Sequence, residues 1–321
     1  MKKIITYLII MMLFIALVLP CAFAEDGGEA GIELIGGREL EWTCGVPFED
    51  PGFTATDKNG NDVTADVAVS GSVTSWKVGT YKLRYFYRDE DGEKYNAFRT
   101  VEVVPAPLPE EEVREKTIYL SFDDGPCANT AWLLDLLDAY DAKATFFIIN
   151  LDTGYLDMIT EIHERGHSVG IHCTNHDYGM LYSSEEYFFE DFMKAQKLVY
   201  DKTGEYAKVS RFPGGSLTAY AHINRKVDGG FATIEQRLHD MGVRYFDWNI
   251  QLEGPGNTYR SATEIYYTFT LGVPQYETPI ILQHDTLNFS IKALEPLLQW
   301  GTENGYTFAA LDNTVPEYYS R

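Results

Sequence analysis

A change of hydrophobic period partway along the chain limits its fold more than any other feature. From Gly31 to Val104 the residues read as short strands and turns, and from Thr117 onward strand-like and helix-like segments alternate. In the first part Tyr81, Leu83, Tyr85 and Tyr87 alternate with Lys82, Arg84 and Arg88, the period of a half-buried strand, with Phe86 as the exception. Asn59-Gly60 and Asp91-Gly92 are hairpin-turn dipeptides. Strands without a helical stretch predict a small antiparallel sandwich over residues 31–104. The run from Asp57 to Asp62 is spaced like a calcium loop but lacks the bidentate Glu further on, so it reads as a plain turn. Pro105 to Lys116, rich in proline and charge, reads as a linker.

In the second part, 117–315, strand-like runs cover 117–122, 144–150, 167–172, 208–212, 243–249, 279–283 and 306–311. Trp132, Leu133, Leu136, Leu137 and Tyr140 share one helix face. Ser183/Glu186 and Ser261/Glu264 have capping-box spacing, and Gly204 and Gly242 sit where helices should stop. Such alternation implies a parallel sheet, closed as a barrel or open and doubly wound. In both architectures chemistry gathers at the C-terminal ends of the strands.

The chain opens with Lys2 and Lys3, an apolar run from Ile4 to Leu19, then Pro20 and Ala22-Phe23-Ala24, the form of an export signal cleaved after Ala24. The run is slightly long, so an uncleaved membrane anchor is the alternative, and export to the medium or cell surface follows either way. A formal charge of −22 argues against nucleic acid as partner and favours a neutral one. The chain is expected to act as a monomer. Beyond residue 24 three cysteines remain, Cys44, Cys127 and Cys173; a Cys127–Cys173 bridge is left open.

Four polar groups fall at four predicted strand ends. Ser121 to Pro126 (SFDDGP) follows the first strand and reads alone as a tight turn. His172 and His176 end the third, spaced so that one helical turn lets both imidazoles reach one metal. Arg211 to Gly215 (RFPGG) ends the fourth, and His284-Asp285 the sixth. One such group is easily structural; four together point to a site. His163 to His167 formally matches the zinc-protease pattern HExxH, but Gly166 interrupts the helix that chemistry needs, so the match reads as accidental. His222 and His239 have no motif context and are expected at the surface.

Taken in order, SFDDGP, HxxxH, RFPGG and the final Leu282-Gln-His-Asp285 resemble the polysaccharide deacetylases of the NodB-homology family (carbohydrate esterase family 4), over about Thr117 to Leu311. The earlier part resembles bacterial immunoglobulin-like modules of surface proteins. The first resemblance implies a distorted (β/α) barrel of about seven strands acting on an acetylated polysaccharide. It also implies a divalent metal, usually zinc with cobalt, manganese or nickel as alternatives, held by Asp124, His172 and His176. Asp123 would be the catalytic base, His284 the acid and Arg211 the residue steadying the base. Pro213, Gly214, Gly215, Trp248 and Leu282 would line the substrate site, Leu282 at the acetyl methyl. Such a donor set leaves metal positions open for water and the acetamide oxygen.

The fit fails in one place. Where the family carries two carboxylates after the fifth strand, Gln251 and Gly254 stand. Those carboxylates are thought to support the acid, and their loss would cost about 10² in rate. Glu253, Asp247 and Asp285 are the candidates to replace them. The departure leaves three readings: an N-deacetylase of peptidoglycan N-acetylglucosamine, a glycan-binding protein with a retained metal site, and an esterase acting on O-acetyl groups.

Overall fold

The computed structural model describes residues 30–149 and 154–320. The leader read from residues 1–24 lies outside them. Six strands form the first part: β1 (Gly31–Leu34), β2 (Glu39–Thr43), β3 (Phe53–Thr56), β4 (Ala68–Ser70), β5 (Gly79–Arg88) and β6 (Lys94–Val104). β1 pairs with β3, and β2-β6-β5-β4 make a second sheet. The sandwich is not wholly antiparallel as expected, because β2 lies parallel to β6. On β5 the alternation seen in the sequence places Leu83 and Tyr85 in a core shared with Leu34 and Ala97. Arg99 is fully buried there, a position no pattern predicted. It donates to the carbonyls of Ile35, Gly37 and Gly52 and pairs with Asp50, so the buried charge is compensated. The Asp57 loop is a turn, its carboxylate accepting from the backbone N–H of Asn59 and Asn61.

The second part is built on β7 (Thr117–Asp123), β8 (Ala144–Ile149), β9 (Ser168–Cys173), β10 (Val209–Ser210), β11 (Arg244–Tyr245), β12 (Ile250–Gln251), β13 (Ile280–His284) and β14 (Thr307–Phe308). Their order is β11-β10-β9-β8-β7-β13-β12, with β14 on β7, and every pairing is parallel. This is a distorted (β/α) barrel, a curled sheet with β11 and β12 at its two edges. Each of the seven predicted runs contains a strand, and β12, only two residues long, is the addition. β7 and β8 are buried at every position, as a sheet covered on both faces requires.

Two local expectations need adjusting. On the helix Thr130–Ala139, Leu133 and Leu137 are buried and Leu136 and Tyr140 pack against the core as read, while Trp132 is 48% exposed and Leu134 is buried in addition. Ser184, not Ser183, caps the helix Glu185–Thr203 by accepting from Tyr187 N–H. The Ser261/Glu264 capping box forms as read, and Gly204 ends its helix at φ 77°.

The two parts pack as one body. Trp76 stacks on Phe189 with centroids 4.7 Å apart, and Cys44, Val101 and Val103 join the core of the barrel's outer helices. The segment read as a linker is strapped down: Ala106 N–H donates to Asp240 O, Glu112 N–H to Thr314 O, and Arg244 to Pro109 O and Glu111. No helix among the described residues is long and apolar enough to cross a membrane.

Candidate metal centre and reaction site

The strand ends bring Asp124, His172 and His176 together, with one donor atom from each lying within 4.8 Å of the others. Asp124 follows β7 at φ 70°, a left-handed conformation that Asp tolerates better than most residues. Its Oδ1 lies 3.5 Å from His172 Nε2 and 3.9 Å from His176 Nε2. Four ligands at zinc distances sit about 3.4 Å apart, so these donors are close to the spacing of a shared cation. Asp124 Oδ1 is buried without any hydrogen-bond partner, an arrangement that costs free energy unless a cation satisfies it. The residues therefore fit a divalent ion.

The two histidines do not share a helical turn as expected. His172 is on β9, and His176 lies in the loop that follows it. Asp191, buried on the helix Glu185–Thr203, shapes that loop by accepting from Thr174 N–H and the Thr174 hydroxyl. His172 Nδ1 lies 2.9 Å from Arg211 O; donating to that carbonyl leaves the Nε2 lone pair facing the cluster. Burial holds His172 below the usual histidine range despite Asp123 and Asp124, which keeps the imidazole neutral as a ligand must be.

Beside the cluster, Asp123 ends β7 and is 3% exposed. Its Oδ1 accepts from Arg211 Nη1 at 2.9 Å, and its Oδ2 is 3.9 Å from His172 Nε2. Arg211 is itself buried and donates also to Ser121 Oγ, Phe246 O and Asp247 O. Its guanidinium lies over the rings of Phe147, at 4.2 Å, and Trp248, at 5.6 Å. The buried pair is thus hydrogen-bonded on both sides, the condition for such a pair to persist.

Opposite stands His284, at the end of β13, with Nε2 3.9 Å from Asp124 Oδ2. Beside it, where Gln251 and Gly254 offer no carboxylate, lies Glu253, which is 1% exposed. Its Oε1 accepts from His284 N–H at 3.0 Å and from Ser290 Oγ at 2.6 Å. Its Oε2 lies 3.7 Å from His284 Nδ1, an ion-pair separation too long for a hydrogen bond. Burial pulls the His284 imidazole down, but Glu253 with Asp123 and Asp124 outweighs it and holds the ring above the usual histidine range. Asp247 instead ties Ser216 and Ser320. Asp285, pushed up to about 6 chiefly by burial, binds Thr130 Oγ1 and packs where a Cβ on Gly125 would stand. Glu253 was one of three candidates in the sequence, and only its fold contacts single it out.

The remaining predicted residues are mixed in their placement. Pro213 O accepts from the buried Tyr182 hydroxyl. Gly214 and Gly215 have φ 74° and 81°, and an added Cβ would strike Tyr178 Oη at 2.8 Å or Trp248 at 3.2 Å. Trp248 is half-buried, whereas Leu282 is 2% exposed and only its edge can meet a ligand. His167 precedes β9 with Nδ1 accepting from Ala144 N–H, while His163 lies on the helix Met158–Glu164, so the two share no continuous helix. His222 and His239 are half-buried rather than at the surface, His222 packed on Tyr178 and Tyr182 and His239 paired with Glu317. Cys44, Cys127 and Cys173 are free thiols, so the bridge left open by the sequence does not form.

Comparison with known proteins agrees with this geometry. Residues 110–229 match the family described as polysaccharide deacetylase, and residues 32–103 match the bacterial surface protein Ig-like domain. A peptidoglycan-N-acetylglucosamine deacetylase of Bacillus cereus is 32% identical over 201 residues, 61% of this chain and 69% of that protein. The enzyme of that activity from Listeria monocytogenes is 28% identical, over 63% of this chain and 39% of its own length. Among solved structures, the catalytic domain of the peptidoglycan N-acetylglucosamine deacetylase of Eubacterium rectale superposes with a TM-score of 0.61 at 35% identity, covering 67% of this chain and 97% of that domain. A polysaccharide deacetylase of Bacillus cereus gives 0.51 at 27%, covering 62% and 92%. This chain belongs to the polysaccharide deacetylase family.

Proposed function

We propose that the chain is an exported, zinc-dependent N-deacetylase acting on N-acetylglucosamine of peptidoglycan. In this reading residues 31–104 form the surface module, 105–116 the strap and 117–315 the catalytic part. The observation that carries it is the unpartnered, buried Asp124 Oδ1 between two imidazoles, flanked by the Arg211–Asp123 pair and by His284 with Glu253. The relatives' activity supports the substrate class.

Asp124, His172 and His176 would hold the ion, which when bound acidifies water and polarises a carbonyl oxygen. Asp123, held in place by the Arg211 Nη1 hydrogen bond, accepts the proton that the attacking water loses. His284 gives its Nε2 proton to the departing nitrogen as the C–N bond breaks, the electron pair staying on nitrogen, so acetate and a free amine result. Gly214 and Gly215 let Tyr178 and Trp248 pack against the backbone, where a Cβ would stand 2.8 Å and 3.2 Å from them. With Glu253 in place, the absence of carboxylates at Gln251 and Gly254 no longer favours a binding-only protein. Acetate release from N-acetylglucosamine oligomers, measured with zinc and after chelation, tests the proposal; turnover that Asp123→Asn leaves unchanged would sink it.

A further inference from the structure

The segment that departs from the family pattern forms a closed turn aimed at the acid. Gly254 and Thr258 bond reciprocally, N–H to O at 2.9 Å and 3.2 Å. Thr258 Oγ1 also donates to Pro255 O, and Arg260 anchors the stem at Gln251 O. A Cβ on Gly254 would lie 2.3 Å from Thr258 Oγ1, so a side chain at the position that lacks a carboxylate would push Thr258 out of its place in this turn. At its tip Gly256 and Asn257 have φ 65° and 59°, and the Asn257 amide meets His284 Nε2 at 3.1 Å.

That contact is the one directional hold on the imidazole among the described residues. His284 Nδ1 has no hydrogen bond, and Glu253 at 3.7 Å supplies charge without fixing the plane of the ring. Rotation about the last side-chain torsion of histidine is broad, so a ring with no bond to either nitrogen would not be held in one plane. We infer that Asn257 is a positioning residue for His284: Glu253 provides the charge, and Asn257 fixes the direction in which Nε2 delivers its proton. The inference rests on the assignment of His284 as the acid of the proposed reaction. A carboxamide suits the place because rotating it by half a turn presents either its oxygen to Nε2–H or its N–H₂ to a bare Nε2. As the proton moves, the Nε2–H is shared between the Asn257 oxygen and the departing nitrogen, so the amide still orients the ring at that step.

Asn257→Gly tests this cleanly, since glycine keeps the left-handed backbone and removes only the side chain. On N-acetylglucosamine oligomers kcat should fall about tenfold, the cost of a misaimed group, with KM within about twofold. On an aryl acetate, whose leaving group departs without a proton, the zinc-loaded variant should match the parent. Equal losses on both substrates, or none on either, overturn the inference. A second readout needs no turnover: in a long-range proton–nitrogen spectrum of the full chain, the His284 Nε2 resonance should move in Asn257→Gly. An unmoved resonance overturns the inference whatever the substrate is. A parent inactive on the oligomers instead defeats the proposed function and leaves the spectrum to decide.

Discussion

The Asp123 side of the site and the His284 side are held by different means. Asp123, Arg211 and His172 stand at or just after the ends of β7, β10 and β9 in one parallel sheet, and the main-chain groups of Arg211, Phe246 and Asp247 orient them. His284 also ends a strand, but its partners Glu253 and Asn257 come from the loop after β12, and Ser290, on the short helix after β13, holds Glu253. A site can therefore keep its metal and base geometry through the sheet while its acid is rebuilt by loop substitutions. Loops tolerate change because little else depends on their conformation.

The largest effect should come from the strand-held side. Asp123→Asn removes the proton acceptor and should lower acetate release by about 10³, on amide and aryl ester alike. Loss on the amide alone would mean that Asp123 belongs functionally with the acid. Arg211→Met should lower stability by about 3–5 kcal/mol in denaturant unfolding, since it strands a buried carboxylate. A loss below about 1 kcal/mol would show that Asp123 escapes to solvent.

On the loop-held side Glu253→Gln keeps the shape that accepts from Ser290 and His284 N–H but removes the charge. It should reduce amide turnover by about 10–100-fold and spare the aryl ester. Because Glu253 helps hold His284 above its usual range, the acid form persists to higher pH in the parent. The variant should lose kcat/KM at lower pH as pH rises, and an unmoved alkaline limb would assign that limb to another group. Smallest of all, Gly254→Ala should reduce amide turnover a few-fold by pressing on Thr258 Oγ1, and adding Thr258→Ala should recover most of it. Additive losses in the double variant would show that the turn is not what matters.

The sheet was readable because a parallel barrel needs unbroken apolar runs, and β7 and β8 supply them. β12 was missed: like β10, β11 and β14 it is two residues long, but no strand-like run surrounds it as runs surround those. That Asp123, Asp124, His172, His176, Arg211 and His284 meet was legible because strand ends converge, so four polar motifs after four strands imply one place. The supposed helical turn between His172 and His176 failed because Asp191, distant in sequence, shapes that loop instead. Glu253 could be named as a candidate but not chosen, since only folding shows which of three carboxylates faces His284. Asn257 left no signal beyond a Pro-Gly-Asn turn, which marks a bend without saying what the bend faces. Arg99 was invisible for a similar reason: the Asp50 carboxylate and the carbonyls of Ile35, Gly37 and Gly52 converge on it, and no local pattern records that convergence.

The central claim is that Asp124, His172 and His176 share one divalent ion on which deacetylation depends. Titrating zinc into the chelated protein while following acetate release from N-acetylglucosamine oligomers tests it most directly. The account predicts activity rising from background to a plateau at one equivalent per chain, and no rise in Asp124→Ala. Acetate release that proceeds at full rate in the stripped protein, or stays at background with zinc bound, would contradict it.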